Sequence, residues 1–282
     1  MSNAISKLQY FRVLSIAGSD SGGGAGIQAD LKTFAALGCY GMTAITALTS
    51  QNTLGVRSIH GVPPEMLRDQ IDVVVDDIGV QAVKIGMLHS PECVQIVASA
   101  IDRHQLENIV LDPVMVATSG AVLIEKSAIS ILVEELFSRA ALVTPNLDEA
   151  ALLIGRAITT EKAMEFAAQE LLNKGARAVL IKGGHLSGNV VSDLFATQSG
   201  QLHWMRAPRI HSINTHGTGC TLSSAIAAHL AMGASLLEAV QAGHDFVREA
   251  IEAGLGIHTG AGSGPLNHGY KPVPMHFQQM LG

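Results

Sequence analysis

Short apolar runs alternate with longer segments of helical spacing along nearly the whole chain. The apolar runs, rich in β-branched residues, predict strands over 12–17, 42–48, 82–85, 108–112, 141–144 and 178–182, and a hairpin over 190–196 and 201–206. Segments with apolar residues three and four positions apart predict helices over 27–37, 63–77, 91–104, 127–138, 147–154, 161–173, 218–232 and 236–252. This alternation is typical of βαβ units.

The fold class that follows is α/β, with a mostly parallel sheet covered by helices on both faces. A chain of 282 residues has room for one large domain or two small ones. Because no repeat and no long Pro/Ser linker divides the chain, we expect one domain over residues 1–282. The glycine-rich tail at 260–265 is predicted to be a loop that either contacts a ligand or follows the surface.

Composition narrows the classes of function. Hydrophobic residues make up 48% and charged residues 15%, which is enough for a sizeable core and argues against disorder. A net charge of −6 gives no electrostatic reason to expect nucleic acid or an anionic membrane as partner. Three widely spaced cysteines without a CxxC pair argue against a disulfide framework or a zinc site. With no signal-peptide pattern and no apolar run of membrane-spanning length, a cytoplasmic location is expected.

Polar and glycine residues follow almost every predicted strand. In α/β folds, ligands bind beyond the carboxyl ends of the parallel strands, so these residues should meet at one edge of the sheet. One glycine after one strand would indicate only a turn, whereas six such segments indicate a site. The segments are 18–26, 49–53, 86–88, 112–115, 145–149 and 183–185.

Two glycine-rich segments are candidate ligand-binding loops, and the second is the stronger candidate. The segment 18–26 has neither the dinucleotide fingerprint nor the P-loop pattern, and it is equally compatible with a tight turn and with ligand contact. Gly217-Thr-Gly-Cys220 runs directly into a helix, whose first N–H groups and dipole favour an anion. The alternative for this second segment is a helix start with Thr218 as its cap.

Two further positions allow either a functional or a structural interpretation. Asn146 and Glu149 share a face of a first helical turn, where they either help to hold a hydrated Mg²⁺ or form a capping box. Lys182 follows an apolar strand, where it either binds phosphate or extends its amine into solvent.

Seven segments, in this order and spacing, closely resemble the hydroxymethylpyrimidine/phosphomethylpyrimidine kinase family of the ribokinase-like superfamily. The resemblance extends from about residue 11 to residue 270. The segments are 16–33, 46–53, 83–87, 111–115, 143–146, 180–185 and 214–221.

This resemblance implies a three-layer α/β/α sandwich without a large lid, usually a homodimer. It implies MgATP-dependent phosphorylation of 4-amino-5-hydroxymethyl-2-methylpyrimidine and then of its monophosphate, on the route to thiamine. Because a glutamine amide complements the donor and acceptor atoms of an aminopyrimidine, Gln51 is expected to bind the ring. The other substrate-binding residues that the resemblance implies are Gly18, Ala25, Met87 and Val114, with Asp30 beside them.

The resemblance also implies the phosphate and metal groups. Glu149, with Asp112 nearby, is expected to hold Mg²⁺. Gly217, Gly219 and Cys220 are expected to form the anion hole. The residues expected to contact ATP phosphates are Asn146, Lys182, Thr218 and Gly219.

Cys220 departs from the superfamily, which usually has Asp at this position as a base. Two states of the thiol are open: a helix N-terminus favours partial thiolate, whereas a neutral thiol would repel a substrate phosphate less. Two rival functions also stay open. One is a pyridoxal or pyridoxine kinase of the same superfamily, and the other is a catalytically silent vitamin-binding protein.

Overall fold

A computed structural model describes residues 7–116, 120 and 122–280. It contains one large sheet, a small two-stranded sheet and helices between the strands. The strands are β1 (Leu8–Tyr10), β2 (Arg12–Asp20), β3 (Tyr40–Asn52), β4 (Gly55–Gly61), β5 (Ala82–Ile85), β6 (Ile109–Leu111), β7 (Leu142–Val143), β8 (Ala178–Ile181), β9 (Val190–Thr197), β10 (Leu202–Pro208) and β11 (Phe277–Gln279). The helices are α1 (Gly26–Ala36), α2 (Pro64–Asp77), α3 (Pro91–His104), α4 (Lys126–Leu136), α5 (Leu147–Ile154), α6 (Glu161–Asn173), α7 (Thr218–Ala231) and α8 (Leu236–Glu252).

The large sheet has nine strands in the order β10-β9-β8-β7-β6-β5-β2-β3-β4. Its six central strands, from β8 to β3, run parallel, and the edges are antiparallel. After β2 the chain continues to β3 on one side and then to β5 on the other. This reversal beside β2 is a switch point, where open parallel sheets leave a crevice at the strands' carboxyl ends.

Successive side chains of a strand point to opposite faces of the sheet. Because the central strands are apolar at successive positions, both faces of the sheet need to be covered, and helices pack on each of them. In β8, Val179 and Ile181 pack with the helices from α2 to α6. Ala178 and Leu180 pack on the other face with α7 and α8. The predicted three-layer α/β/α architecture is therefore confirmed.

The predicted strands and helices are all present, with small shifts at their ends, but the pattern missed three strands. β4 is an edge strand whose central residues are mostly exposed, so its sequence lacks the apolar alternation of a buried strand. β1 and β11 are three residues each and pair only with one another. Within the described ranges, no helix is long and apolar enough to cross a membrane.

The tail at 260–265 is held against the body of the protein. The Ser263 N–H donates to the Thr53 carbonyl at 3.1 Å, and the His216 N–H donates to the Gly264 carbonyl at 3.0 Å. The tail therefore supports the segment that leads into α7.

Candidate active site

A cavity of about 790 Å³ opens at the carboxyl ends of the parallel strands, beside the β2 switch point. All of the predicted site residues except Asp30 line it. They are Gly18, Ala25, Gln51, Met87, Asp112, Val114, Asn146, Glu149, Lys182, Gly217, Thr218, Gly219 and Cys220. Segments that are distant in sequence therefore meet in one place, as the convergence at the sheet edge predicts.

The anion loop, Gly217–Cys220, has a geometry that only glycine permits at its first position. Gly217 has φ 86°, and a Cβ there would lie 1.9 Å from the Gly24 carbonyl oxygen. α7 starts at Thr218, with Gly217 and not Thr218 at the cap position, and no side chain caps the helix. The alternative of a Thr218 cap is therefore wrong. The Thr218 N–H donates to the Thr215 carbonyl at 3.3 Å, so the next N–H groups, of Gly219 and Cys220 in the cavity lining, are the ones that an anion would meet.

A buried ion pair lies directly under this loop. Lys182 Nζ donates to Asp112 Oδ1 at 2.8 Å, and a Cβ on Gly219 would lie 3.1 Å from the same Nζ. Burial alone would lower the pKa of Lys182, but the carboxylates of Asp112 and Glu149 outweigh burial and raise it. Lys182 therefore holds a full positive charge where a phosphate on the loop would lie.

Asn146 and Glu149 form the capping box that the sequence allowed. The Glu149 N–H donates to Asn146 Oδ1 at 2.9 Å, and the Asn146 N–H donates to Glu149 Oε2 at 2.8 Å. Glu149 is only 5% exposed, and burial raises its pKa to about 7 although Lys182 opposes the shift. The cap thus fixes a carboxyl group in the cavity wall, so the structural and the chemical interpretation apply to the same two residues.

Cys220 carries a neutral thiol. Burial raises its pKa to about 11, and the positive charge of Lys84 only partly offsets this. The raised pKa favours the neutral thiol over partial thiolate, because loss of solvation exceeds the attraction of the Lys84 charge.

Asp30 lies beneath the cavity and does not line it. It is fully buried, and its carboxylate accepts hydrogen bonds from Lys84 Nζ at 2.9 Å, Ser15 at 2.6 Å and Ser224 at 2.7 Å. Burial would lower the pKa of Lys84, but Asp30 and other negative groups reverse the effect and raise it. The Lys84–Asp30 pair places a permanent ammonium group at the floor of the cavity.

Sequence reasoning missed three polar residues of the site. Lys84 interrupts the apolar strand β5, and a charged residue inside a buried strand is itself a signal of function. Asp20 precedes a run of glycines whose N–H groups require an acceptor. His216 precedes the anion loop, but nothing in the local sequence shows that its ring reaches Asp20, 196 residues earlier, at 2.9 Å.

Gly184, Asp193 and Arg209 line another part of the cavity. Arg209 donates to the carbonyl oxygens of Gly184 at 2.7 Å and Leu186 at 2.5 Å, and so holds the loop after β8. Asp193, on β9, accepts a hydrogen bond from the Gly183 N–H at 2.7 Å. Residues of β9 and α8 also line this end of the cavity.

Comparisons with known proteins show the family of this chain. The family model described as phosphomethylpyrimidine kinase matches residues 20–267. A hydroxymethylpyrimidine/phosphomethylpyrimidine kinase from Rhizobium meliloti is 51% identical over 92% of this chain and 97% of its own length. The thiamine biosynthesis bifunctional protein ThiED from Geobacter sulfurreducens is also 51% identical, over 91% of this chain, which spans only 52% of that longer protein.

Solved structures give the same class of fold. A phosphomethylpyrimidine kinase from Clostridium difficile superposes with a TM-score of 0.75 at 40% identity, over 85% of this chain and 99% of that one. Pyridoxal kinase from Bacillus subtilis, in complex with ADP, superposes with a TM-score of 0.84 at 35% identity, over 92% of this chain and 98% of that one. The fold and the site thus define a phosphotransferase of the ribokinase-like class. Within that class, the chain belongs to the phosphomethylpyrimidine kinase family.

Proposed function

We propose that the protein transfers the γ-phosphoryl group of ATP first to the hydroxyl of 4-amino-5-hydroxymethyl-2-methylpyrimidine and then to the resulting monophosphate. One observation carries this proposal: Gln51, which complements an aminopyrimidine, and the anion loop with Lys182 line the same cavity. The small and apolar walls at Gly18, Met87 and Val114 suit a flat ring with a methyl substituent.

In this proposal, charge placement does most of the catalytic work. The N–H groups of the anion loop and the ammonium of Lys182 stabilise charge on the phosphoryl group as it is transferred. Phosphoryl transfer through a loose transition state needs little early proton abstraction, so the neutral Cys220 thiol suffices beside the attacking oxygen. A neutral thiol also repels a substrate phosphate less than a carboxylate would, which suits the second transfer.

We further propose that Asp112 and Glu149 hold Mg²⁺. The described residues contain no cluster of three or more His, Cys, Asp or Glu side chains that would form a metal cage. Mg²⁺ does not require one, because it commonly binds one or two carboxylates together with waters and substrate phosphates. Burial raises the pKa of Glu149, and a bound cation would favour its ionised form, so this carboxyl group fits that role. When bound, the ion would offset negative charge on the phosphates.

The test is ADP release with the aminopyrimidine alcohol and, in parallel, with pyridoxal. The pyridoxal kinase rival has a specific observation in its favour, since the Bacillus subtilis pyridoxal kinase superposes closely. Turnover of pyridoxal without turnover of the pyrimidine would establish that rival. Binding of the pyrimidine and ATP by calorimetry, without ADP release, would establish the silent vitamin-binding protein.

The proposal includes three further points. Residues 1–282 act as one kinase domain, which the single nine-stranded sheet supports. The protein works in the cytoplasm, and it assembles as a homodimer. Light scattering of the purified protein gives its mass in solution, and a monomer at working concentration would contradict the last point.

A further inference from the structure

Thr53, in the turn between β3 and β4, is bound by the tail at 260–265. The Gly262 N–H donates to Thr53 Oγ1 at 3.2 Å, and the Ser263 N–H donates to the Thr53 carbonyl at 3.1 Å. A Cβ on Gly262 would lie 2.0 Å from the Thr53 carbonyl oxygen, so only glycine permits this approach. The two hydrogen bonds and the close packing hold the turn against the tail.

The next residue of the tail, Gly264, is bound to the segment that leads into the anion loop. Its N–H donates to the Ile213 carbonyl at 3.1 Å, and its carbonyl accepts from the His216 N–H at 3.0 Å. A Cβ on Gly264 would lie 2.0 Å from Asn214 Oδ1, so the approach is as close here as it is at Thr53. Consecutive residues of the tail therefore link the β3–β4 turn to the segment before the anion loop.

The two linked segments supply different parts of the cavity. Gln51, two residues before Thr53, lines the cavity together with the anion loop. The side chain of Leu54, at the tip of the turn, is 68% exposed, so the turn itself buries little. Ser21 Oγ holds the backbone of Gln51 from one side, at 2.9 Å from its nitrogen and 2.7 Å from its carbonyl oxygen. The tail holds the turn that follows.

We propose that Thr53 is a positioning residue: by binding the tail, it fixes the Gln51 side of the cavity relative to the anion loop, so that acceptor and phosphoryl donor meet in a reactive geometry. Transfer rates depend steeply on such placement, since an error of about 1 Å can cost about 100-fold. Lys182 and Asp112 are fixed by each other, so a looser tail should affect phosphoryl transfer more than nucleotide binding. This inference rests on the proposed function, in which the pyrimidine and ATP meet in this cavity.

Hydrogen exchange of the backbone amides tests the contact between Thr53 and the tail without substrate or turnover. Thr53→Val has nearly the same size but lacks the acceptor for the Gly262 N–H, so the tail amides should exchange roughly fivefold faster than in the wild type. Thr53→Ser keeps the hydroxyl, and its tail should exchange at nearly the wild-type rate. Wild-type exchange in Thr53→Val would overturn the proposal.

Gly262→Ala tests the effect on phosphoryl transfer, because its Cβ would push the Thr53 carbonyl away from the tail. We expect kcat with the aminopyrimidine alcohol to fall roughly tenfold or more, while the Kd for ADP, from calorimetry, stays within about twofold of the wild-type value. A merely structural tail would lower the unfolding temperature without separating kcat from the affinity for ADP.

Ala261→Ser is the matched control, since it also adds one heavy atom within the tail, but to an exposed side chain, and its kcat should equal that of the wild type. If Gly262→Ala does not fold, Thr53→Val carries the same test, with a fall in kcat of roughly threefold to tenfold that Thr53→Ser reverses. Unchanged kcat in the tested variant, or an equal loss of affinity for ADP, would overturn the proposal. A wild type that phosphorylates no pyrimidine contradicts the proposed function instead, and the exchange rates still decide whether Thr53 holds the tail.

Discussion

Lys182 and Asp112 form a buried ion pair, 2.8 Å between Nζ and Oδ1, directly beneath the first turn of α7. Lys182 follows β8 and Asp112 follows β6, so the pair joins the carboxyl ends of two parallel strands. The pair orients the ammonium toward the anion loop, and Gly219 leaves room for it. The Asp112 carboxylate also offsets part of the desolvation free energy of the charged Lys182 side chain.

Replacing Lys182 with Met should lower kcat/KM by roughly 100-fold to 1,000-fold, because one preorganised charge is lost from the transition state. It should also lower the free energy of unfolding by about 3 kcal/mol, since Asp112 is left as an unpaired buried carboxylate. The double variant Lys182→Met/Asp112→Asn should regain stability but not activity. Lys174→Met, at an exposed position, is the control. Lys182→Met with wild-type kinetics would contradict the assigned role.

The two glycines of the anion loop should respond differently to alanine. Gly217→Ala should lower the free energy of unfolding by more than about 2 kcal/mol, because positive φ is strained and the Cβ meets the Gly24 carbonyl. Gly219→Ala should unfold near the wild-type temperature but lose roughly tenfold or more in kcat, because its Cβ displaces Lys182 Nζ. Gly269→Ala, where a Cβ meets nothing within 4 Å, is the control. Thermal unfolding and steady-state kinetics distinguish the two effects.

The neutral thiol of Cys220 gives a prediction about the two successive transfers. Cys220→Ser should keep measurable activity in both, because hydroxyl and thiol are both uncharged near neutral pH. Cys220→Asp should impair phosphorylation of the monophosphate more than that of the alcohol, since an added carboxylate repels the substrate phosphate. Rates with each substrate supplied separately check this. Equal losses in both transfers would refute the explanation.

Glu149 predicts the direction of a pH effect on stability. Burial raises its pKa to about 7, so the folded state keeps a proton that the unfolded chain releases near its ordinary pKa. The contribution of Glu149 to the free energy of unfolding is therefore most favourable below about pH 4.5. It is lost as the pH rises through about 7, by at most on the order of 3 kcal/mol.

Urea unfolding of the metal-free and nucleotide-free protein, in a pH series with EDTA, measures this effect. Glu149→Gln keeps an oxygen that accepts from the Asn146 N–H, so the capping box is retained in this variant. Its unfolding free energy should fall less between pH 5 and pH 8 than that of the wild type. Equal slopes for the two proteins would show that Glu149 titrates normally.

The sequence predicted the fold well because the buried elements have strong patterns. β8 is uninterrupted apolar sequence, and the residues after the parallel strands are polar or glycine, so both the sheet and the edge that holds the site could be inferred. β4 could not, because its edge position leaves it largely exposed. The short strand β1 was missed because its only partner, β11, lies at the other end of the chain.

The sequence predicted the location of the site better than the protonation states and contacts of its side chains. Whether Cys220 is charged depends on burial and on Lys84 and Asp30, which come from other strands and helices. The contact of Asp20 with His216 joins the end of β2 to the segment before α7, and only the folded sheet brings the two together. Local sequence shows which groups are present, but their protonation follows from neighbours that are distant along the chain.

The central claim is that one cavity phosphorylates the same pyrimidine twice. Mass spectrometry of a reaction of 4-amino-5-hydroxymethyl-2-methylpyrimidine with excess MgATP tests this claim most directly. The account predicts that the monophosphate accumulates first and is then converted to the diphosphate, with both steps suppressed in Lys182→Met. A reaction that stops at the monophosphate, or that gives no phosphorylated pyrimidine, would contradict it.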